Sequence, residues 1–290
     1  MTAELIIRAL TIGALAGLLG AVGLRLRFQQ ITEAVRQCRF FTILAVNFLA
    51  VPGLCAGVAY ALQVDRETLI AMVLLGAAPF APVVPVFARM ARADLALAAG
   101  MTSVYPVISA LLTPAICEQI LSALAGTKAA GFSFGRVLMV LVATITVPIL
   151  AGMGVKRFWP RVAERLLRPM EIISEGLGAI SLAFVTVVEF GSIVHLGGRA
   201  FLATLIVFEL SLAVGWWMGG KEVRKRRVIA LGTSNRNIAL ALLVAIESFP
   251  NTRVVSAVVG NGLVLILLGL IHVGWWRWKE NRAQEHDLHG

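Results

Sequence analysis

The distribution of hydrophobic and polar residues along the chain predicts a membrane protein built from helices. Long apolar stretches alternate with short polar connections, and each stretch approaches the roughly 20 residues that an α-helix needs to cross the hydrocarbon of a bilayer. We identify nine such spans, at about 6–24, 40–62, 69–90, 95–117, 137–155, 172–193, 201–219, 228–246 and 254–276. The predicted fold is therefore all-α and integral to the membrane, with nine transmembrane helices.

Two of these spans are interrupted near the middle by residues that do not favour a helix. The third span contains Pro79, Pro82 and Pro85, and the eighth contains the polar run from Gly232 to Asn237. Because lipid cannot satisfy backbone polar groups, an interrupted helix persists only where protein or a water-filled cavity surrounds it. A pair of interrupted spans at corresponding positions indicates the substrate site of a secondary transporter.

The interrupted spans occupy matching places in the two halves of the chain. Spans 1 to 4 and spans 6 to 9 have the same order, and corresponding spans lie five apart, so each pair crosses the membrane in opposite directions. This order predicts one transporter domain with an inverted-topology repeat. We expect a first repeat over 1–136 that is one helix short, a second over 137–276, and a tail over 277–290.

Composition agrees with a membrane class, and the placement of charge predicts an orientation. The chain is 59% hydrophobic and 14% charged, with a mean hydropathy of +0.86, which excludes an ordinary soluble domain. The net charge of +10 comes mostly from alternate connections, at 25–39, 89–94, 156–170 and 221–227, and from the tail. Basic connections face the cytoplasm. We expect no nucleic-acid partner, an external N-terminus and a cytoplasmic tail, in the inner membrane of a bacterium.

Several short motifs resemble those of the bile acid:sodium symporter family, in members that lack an extra first helix. The resemblance rests on Gly76-Ala77-Ala78-Pro79, the stretch from Ala91 to Thr102, Leu112-Thr113-Pro114, Asn47-Phe48 followed by Val51-Pro52, and Ala230 to Asn235. It implies a core domain of six helices, in which the two broken helices cross, and a panel domain formed by spans 1, 5 and 6. It also implies inward movement of organic anions with sodium.

The chain departs from the family pattern at the residues that the resemblance assigns to sodium. The sodium-binding Ser-Asn pair falls on Val84-Pro85, and the acidic residue of the last motif falls on Ala230. Hard cations prefer carboxylate and carbonyl oxygens, so two sodium sites of the family type are not expected. One weakened ion site stays open, with the candidate ligands Asn47, Thr102, Thr233, Ser234 and Asn235. We expect no other cofactor or metal.

Arg236 lies in the second interruption, where a charged side chain is energetically costly. An arginine at the centre of a span costs about 2.5–3.5 kcal/mol, so we expect it to face the interior of the protein. One interpretation is that its guanidinium supplies the positive charge that sodium supplies in the relatives and binds a small organic anion bidentately. The remaining candidates for substrate binding are Thr233, Ser234, Asn235, Asn237 and Asn261.

A second interpretation of Arg236 is structural. Glu209 lies in the middle of the neighbouring span 201–219, and the two residues would form a salt bridge that holds the bundle together. The interpretations are compatible if Glu209 exchanges a proton during the transport cycle.

These patterns predict a secondary transporter that moves a small organic anion by alternating access. A transporter-like sensor, or another membrane protein that binds its ligand without moving it, is the alternative. An intramembrane enzyme would need a nucleophile–base pair or a metal cluster, and the four histidines lie near span ends or in the tail. Substrate identity, coupling ion, direction and oligomeric state stay open.

Overall fold

The computed structural model describes residues 3–25, 39–125, 132–250 and 252–289, and these residues form helices and no β-strand. Most of the basic connection predicted at 25–39 lies outside the described residues. The helices, numbered in chain order, are α1 Ala3–Arg25, α2 Phe40–Ala61, α3 Arg66–Gly76, α4 Val84–Met90, α5 Leu95–Ala125, α6 Phe134–Phe158, α7 Pro160–Val188, α8 Phe190–Val194, α9 Gly197–Met218, α10 Val223–Ser234, α11 Ile238–Ser248 and α12 Val254–His289.

Seven of the described helices are long and apolar enough to cross a membrane: α1, α2, α5, α6, α7, α9 and α12. The chain is therefore an integral membrane protein, as its composition predicts. The two interrupted stretches are each built from a pair of shorter helices, α3 with α4 and α10 with α11.

The helices are interrupted where the sequence lacks helix-forming residues. α3 ends at Gly76 and α4 begins at Val84, so that the segment 77–83, with Pro79 and Pro82, is not helical. Proline removes a backbone donor and clashes with the preceding turn. The second interruption is shorter, because only the segment 235–237 separates α10 from α11. We call the segments 77–83 and 235–237 the first and second breaks.

Two long helices widen by a π-helical turn just before a proline. In α2 this turn spans Val46–Ala50 and precedes Pro52, and in α6 it spans Val142–Thr146 and precedes Pro148. A proline cannot donate to the carbonyl four residues earlier, so the helix adjusts its bonding there. The wider turn in α2 carries Asn47, whose side chain is fully buried.

Small residues allow several of the helices to pack closely. α1 packs against α6 and α7, and the backbone of Gly23 lies so near Ile149 that a Cβ would stand 2.2 Å from its carbonyl oxygen. α9 packs against α10 at Gly215 in the same manner, where the nearest atoms belong to Ala230 and Ile229. Close packing through glycine is common between membrane helices.

Three helices extend beyond the spans that the sequence predicts. α5 continues to Ala125 and contains two prolines, α7 begins at Pro160 rather than near 172, and α12 continues to His289 rather than ending near 276. Hydrophobicity marks the part of a helix that lies in lipid, whereas the helical backbone continues through polar residues that remain good helix formers.

Candidate functional site

The two breaks contact each other through their backbones. Pro79 and Arg236 pair as an isolated antiparallel bridge. The amide of Asn237 donates to the carbonyl of Ala78 at 2.8 Å, and the amide of Ala81 donates to the carbonyl of Asn235 at 3.3 Å. Each break therefore supplies the backbone partners that the other lacks, which is the condition for interrupted helices inside a membrane.

Side chains of the first break and of α5 complete this arrangement. Thr113 of α5 donates a hydrogen bond of 2.6 Å to the carbonyl of Ala77, at the end of α3. The Phe80 ring lies directly on Gly232, where an added Cβ would meet the ring at 2.0 Å, and the Phe80 amide donates to the Gly232 carbonyl. The Tyr105 ring covers Phe80 at a centroid distance of 4.1 Å. Phe80 has a φ of +55°, a strained value that only surrounding contacts can maintain.

The guanidinium of Arg236 lies at the contact between the breaks and donates to three oxygen atoms. Nη1 donates to Oδ1 of Asn47 at 3.2 Å and to the carbonyl of Gly76 at 3.3 Å, and Nη2 donates to the carbonyl of Thr233. Only 4% of Arg236 is exposed. Its three acceptors come from α2, α3 and α10, so the positive charge joins three elements that meet at the breaks.

Asn47 is the residue that connects α2 to this cation. While its Oδ1 accepts from Arg236, its Nδ2 donates to the carbonyl of Ile43 at 2.9 Å and to Oγ1 of Thr233 at 3.2 Å. Both ends of the amide are engaged, which fixes its orientation. The π-helical turn around Asn47 illustrates how such turns occur at functional positions.

A cavity of about 400 Å³ lies beside the breaks, between α1 and α7 on one side and α11 and α12 on the other. Its volume falls in the range of small-molecule sites. Most of its lining is apolar. Its polar lining residues are Thr11, Ser174, Glu175, Ser181, Asn235, Arg236 and Asn237.

Among these lining residues, two asparagines frame Arg236. Nδ2 of Asn235 donates to the carbonyl of Leu231 at 3.2 Å, while its buried Oδ1 has no hydrogen-bond partner among the described residues. Oδ1 of Asn237 accepts from the Leu240 amide at 3.1 Å and caps the first turn of α11. The positive end of the α11 dipole therefore points at the cavity, where it favours negative charge.

Three of the predicted site residues bond elsewhere. Oγ1 of Thr102 donates to the carbonyl of Ala98 within its own helix, and Oγ of Ser234 donates to Ala230. Asn261 accepts a hydrogen bond of 2.8 Å from Thr204, which joins α12 to α9 and is not part of the cavity lining. The structure therefore brings Asn47, Thr233, Asn235, Arg236 and Asn237 together, and leaves the side chains of Thr102, Ser234 and Asn261 outside this group.

Glu209 does not pair with Arg236, contrary to the structural interpretation drawn from the sequence. Its carboxylate lies 3.3 Å from Nε2 of His272 on α12, while Nδ1 of His272 lies 3.0 Å from the Leu268 carbonyl. A position at mid-span fixes the depth of a side chain along a helix, but its partner depends on which face of the helix it occupies.

Glu175 is not predicted as a site residue, because it falls near one end of the predicted span 172–193. In the structure it lines the cavity from α7. The small residues Ser174, Gly178 and Ser181 on the same helix give a signal for this face, because residues three and four apart lie side by side. Ser181 and Thr11 of α1 share a hydrogen bond of 2.9 Å, which holds α7 against α1.

The described residues contain no group of three or more His, Cys, Asp and Glu side chains that would hold a metal ion. The oxygens near the breaks are amide, hydroxyl and carbonyl oxygens, and those nearest to the centre already accept hydrogen bonds from Arg236.

Comparisons with known proteins agree on one family. The model of the sodium bile acid symporter family matches residues 13–196. The chain is 21% identical over 209 residues to a probable sodium/metabolite cotransporter, BASS1, of Arabidopsis thaliana chloroplasts, covering 71% of this chain and 51% of that protein. It is 22% identical over 290 residues to the probable sodium/metabolite cotransporter BASS2 of rice (Oryza sativa subsp. japonica) chloroplasts, covering 96% of this chain and 66% of that one.

A bacterial relative is also similar. The chain is 23% identical over 247 residues to an uncharacterised sodium-dependent transporter, YocS, of Bacillus subtilis (strain 168), covering 82% of this chain and 74% of that protein. The chain spans about half to two thirds of the length of the two chloroplast relatives.

Proposed function

The chain belongs to the sodium bile acid symporter family, and on that premise we propose that it is a secondary transporter that moves a small organic anion across the membrane by alternating access. The family and the relatives are described as symporters and cotransporters, which argues against an intramembrane enzyme. The cavity beside the two breaks is the substrate site in this proposal, because a secondary transporter binds its substrate where interrupted helices meet.

The architecture of the proposed cycle follows from the packing around the cavity. α1, α6 and α7 pack on one another, and α1 and α7 line one side of the cavity, while the two breaks with α11 and α12 line the other. We propose that these are the panel and core domains, that the nine spans form inverted repeats over 1–136 and 137–276, and that their relative movement opens the cavity to each side in turn. The N-terminus then lies on the outer side of a bacterial inner membrane, and the tail 277–290 lies in the cytoplasm.

The observation that carries the mechanism is the position of the Arg236 guanidinium. It donates to the side chain of Asn47 and to the carbonyls of Gly76 and Thr233, oxygens of the kind that bind hard cations. We propose that this guanidinium is a tethered cation, which takes the structural and electrostatic role that a dissociable sodium ion has in a symporter.

The tethered cation changes how Arg236 acts on a substrate. Three of the five N–H donors of its guanidinium bond protein oxygens, two from Nη1 and one from Nη2, so Nε–H and one Nη2–H are left for a substrate. In the proposal, Arg236 attracts the anionic group mainly through its charge, together with the positive end of the α11 dipole. Asn235 and Asn237 line the cavity beside it and contact the substrate, with Thr233 and Ser234 behind them.

A sodium titration tests the tethered cation directly. Since the guanidinium holds the oxygens that sodium would need, we expect the unfolding temperature of the detergent-purified protein to stay constant as sodium replaces potassium at fixed ionic strength. A ligand that binds only the folded state raises stability by RT ln(1 + [L]/Kd). A rise specific for sodium would contradict the proposal, and would favour sodium coupling through the remaining oxygens such as Oδ1 of Asn235.

A proton is the second candidate for the coupling ion, and the Glu209–His272 pair favours it. With Nδ1–H of His272 bonded to the Leu268 carbonyl, Nε2 is the ring nitrogen that faces the Glu209 carboxylate. Rings of Phe208 and Trp276 flank the imidazole. On the packed helices, the guanidinium groups of Arg226 and Arg227 stack on Trp216 and Trp276.

Replacement of Glu209 by glutamine tests this candidate. If the pair exchanges a proton during transport, uptake into proteoliposomes varies with the pH imposed across the membrane in the wild type. We expect this variation to disappear in Glu209→Gln and to persist in Glu222→Gln, which removes an exposed carboxylate at the start of α10. The same pH profile in all three proteins would exclude Glu209 from coupling.

Uptake also separates a transporter from a sensor. Suitable probes are labelled 4-methylpentanoate, 3-phenylpropanoate and hexanoate, each with an apolar body matched to the cavity lining. We expect time-dependent accumulation inside proteoliposomes. Stabilisation by these acids without uptake would favour the sensor.

A further inference from the structure

The cavity carries one group of each charge. Of its lining residues, only Glu175 and Arg236 are ionisable, and they belong to opposite walls: Glu175 to α7 and Arg236 to the second break. The lining therefore has no net charge, although the family name would suggest a purely anionic substrate. This pairing of opposite charges across an apolar space is a feature that the proposed function does not use.

The Glu175 carboxylate has no cation near it within the described part of the chain. The described carboxylates that form ion pairs are Glu67, Glu171, Glu209, Glu222, Glu247 and Glu280, and Glu175 is not one of them. A carboxylate that faces a largely apolar cavity within a membrane protein is expensive unless an opposite charge neutralises it. Because the described residues supply no ion-pair partner there, the natural partner is a cation that arrives with the ligand.

The other hydrogen-bonding groups of the lining do not compete for this role. Thr11 and Ser181 bond each other, and Ser174 donates to the carbonyl of Met170 within α7. The hydroxyl groups of the lining are therefore bonded within the protein, and the carboxylate of Glu175 is the acceptor that the lining leaves for a ligand.

We infer that the substrate is a zwitterion with an apolar body, such as an amino acid whose ammonium group pairs with Glu175 and whose carboxylate faces Arg236 and the start of α11. This inference rests on the proposed function and names the substrate class of the same cavity. The apolar residues between the two charges, among them Leu15, Leu182 and Leu265, accommodate the body of the ligand. A volume of about 400 Å³ is ample for an amino acid of this kind.

Pairs of compounds that differ only in the amino group test the inference. The pairs are leucine with 4-methylpentanoate, phenylalanine with 3-phenylpropanoate, and 6-aminohexanoate with hexanoate. Binding is measured by thermal unfolding in detergent, and uptake in proteoliposomes. We expect at least one amino compound to bind about tenfold more tightly than its partner, the equivalent of one favourable charge pair.

Variants of Glu175 test whether this residue causes the preference for the amino compounds. Glu175→Gln is expected to remove the preference for the amino compound, Glu175→Asp to retain part of it, and Glu164→Gln, an exposed change on the same helix, to leave it unchanged. Since Glu175 lies at the cavity surface and its side chain forms no hydrogen bond or ion pair with the residues that the structure describes, these variants should fold normally.

The outcomes distinguish failure of the zwitterion inference from failure of the proposed transport function. Preference for the amino compounds that depends on Glu175 supports the zwitterion. Equal or better binding and uptake of the simple acids overturns it and leaves an organic-anion transporter. An unchanged preference in Glu175→Gln also overturns it. Failure of every compound in both measurements contradicts the inference and the proposed function together.

Discussion

Arg236→Gln is expected to lower uptake by at least about thirtyfold, the factor that corresponds to losing a buried charge interaction of about 2 kcal/mol. The guanidinium is the positive charge that faces the cavity from the breaks, and it donates to Asn47, Gly76 and Thr233. Glutamine removes the charge and reaches fewer of these oxygens. Each acceptor left unbonded in the interior costs about 1–3 kcal/mol, so the unfolding temperature should fall as well.

Chemical rescue distinguishes a lost cation from a damaged fold. In Arg236→Ala, the oxygens that bind the guanidinium face an empty space, and guanidinium ion at about 10 mM should raise the unfolding temperature of the variant but not of the wild type. Arg199→Gln, an exposed change at the start of α9, serves as the control and should behave as the wild type. If Arg236→Gln keeps full uptake and full thermal stability, the tethered cation is wrong.

Gly232→Ala is expected to destabilise the protein and to abolish uptake, although it adds a single methyl group. The new Cβ would stand 2.0 Å from the Phe80 ring, whose side chain is fully buried and is covered by Tyr105. The ring cannot move away without separating the two breaks. Overpacking of this kind costs about 1–3 kcal/mol where the surroundings can adjust, and we expect the upper end of that range here.

A matched glycine and a double variant check this explanation. Gly57 lies in a helix, and an added Cβ there meets no atom within 4 Å, so Gly57→Ala should leave stability and uptake unchanged. Phe80→Ala removes the atoms that the new methyl group would meet. The loss of stability in Gly232→Ala should therefore be smaller when Phe80→Ala is already present. Additive losses in the double variant would show that contact with the ring is not the cause.

The sequence predicts the breaks well because their causes are local. Prolines at 79 and 82 disfavour a helix through the first break, and the polar residues Asn235, Arg236 and Asn237 interrupt the apolar helix at the second. The burial of Arg236 is predictable for a similar reason, since a charged side chain in the middle of a membrane span must find protein partners. These features need only the chain and the properties of the bilayer.

The partners of Arg236 are not predictable in this way. The acceptors include the carbonyls of Gly76 and Thr233, and carbonyl groups leave no trace in the choice of residue. Asn47 reaches the guanidinium because a π-helical turn carries it, and such a turn depends on how α2 adjusts before Pro52. Glu209, which the sequence places at the right depth, faces His272 instead.

The place of Glu175 in the cavity wall is also not predictable from the sequence. Its position in the sequence suggests the end of a span, but α7 begins at Pro160 and brings the carboxylate into the cavity wall. The start of a long helix in polar sequence cannot be located from hydropathy, so the depth of its side chains is uncertain from the chain alone.

A cation that is covalently part of the chain changes the electrical work of transport. A sodium ion that enters with a monovalent anion cancels its charge and contributes its own concentration gradient, whereas a guanidinium returns with the protein after every cycle. A monovalent anion that enters alone moves one negative charge inward, and against 100 mV this costs about 2.3 kcal/mol, or roughly fiftyfold less accumulation. A zwitterion moves no net charge, so the membrane potential neither assists nor opposes it.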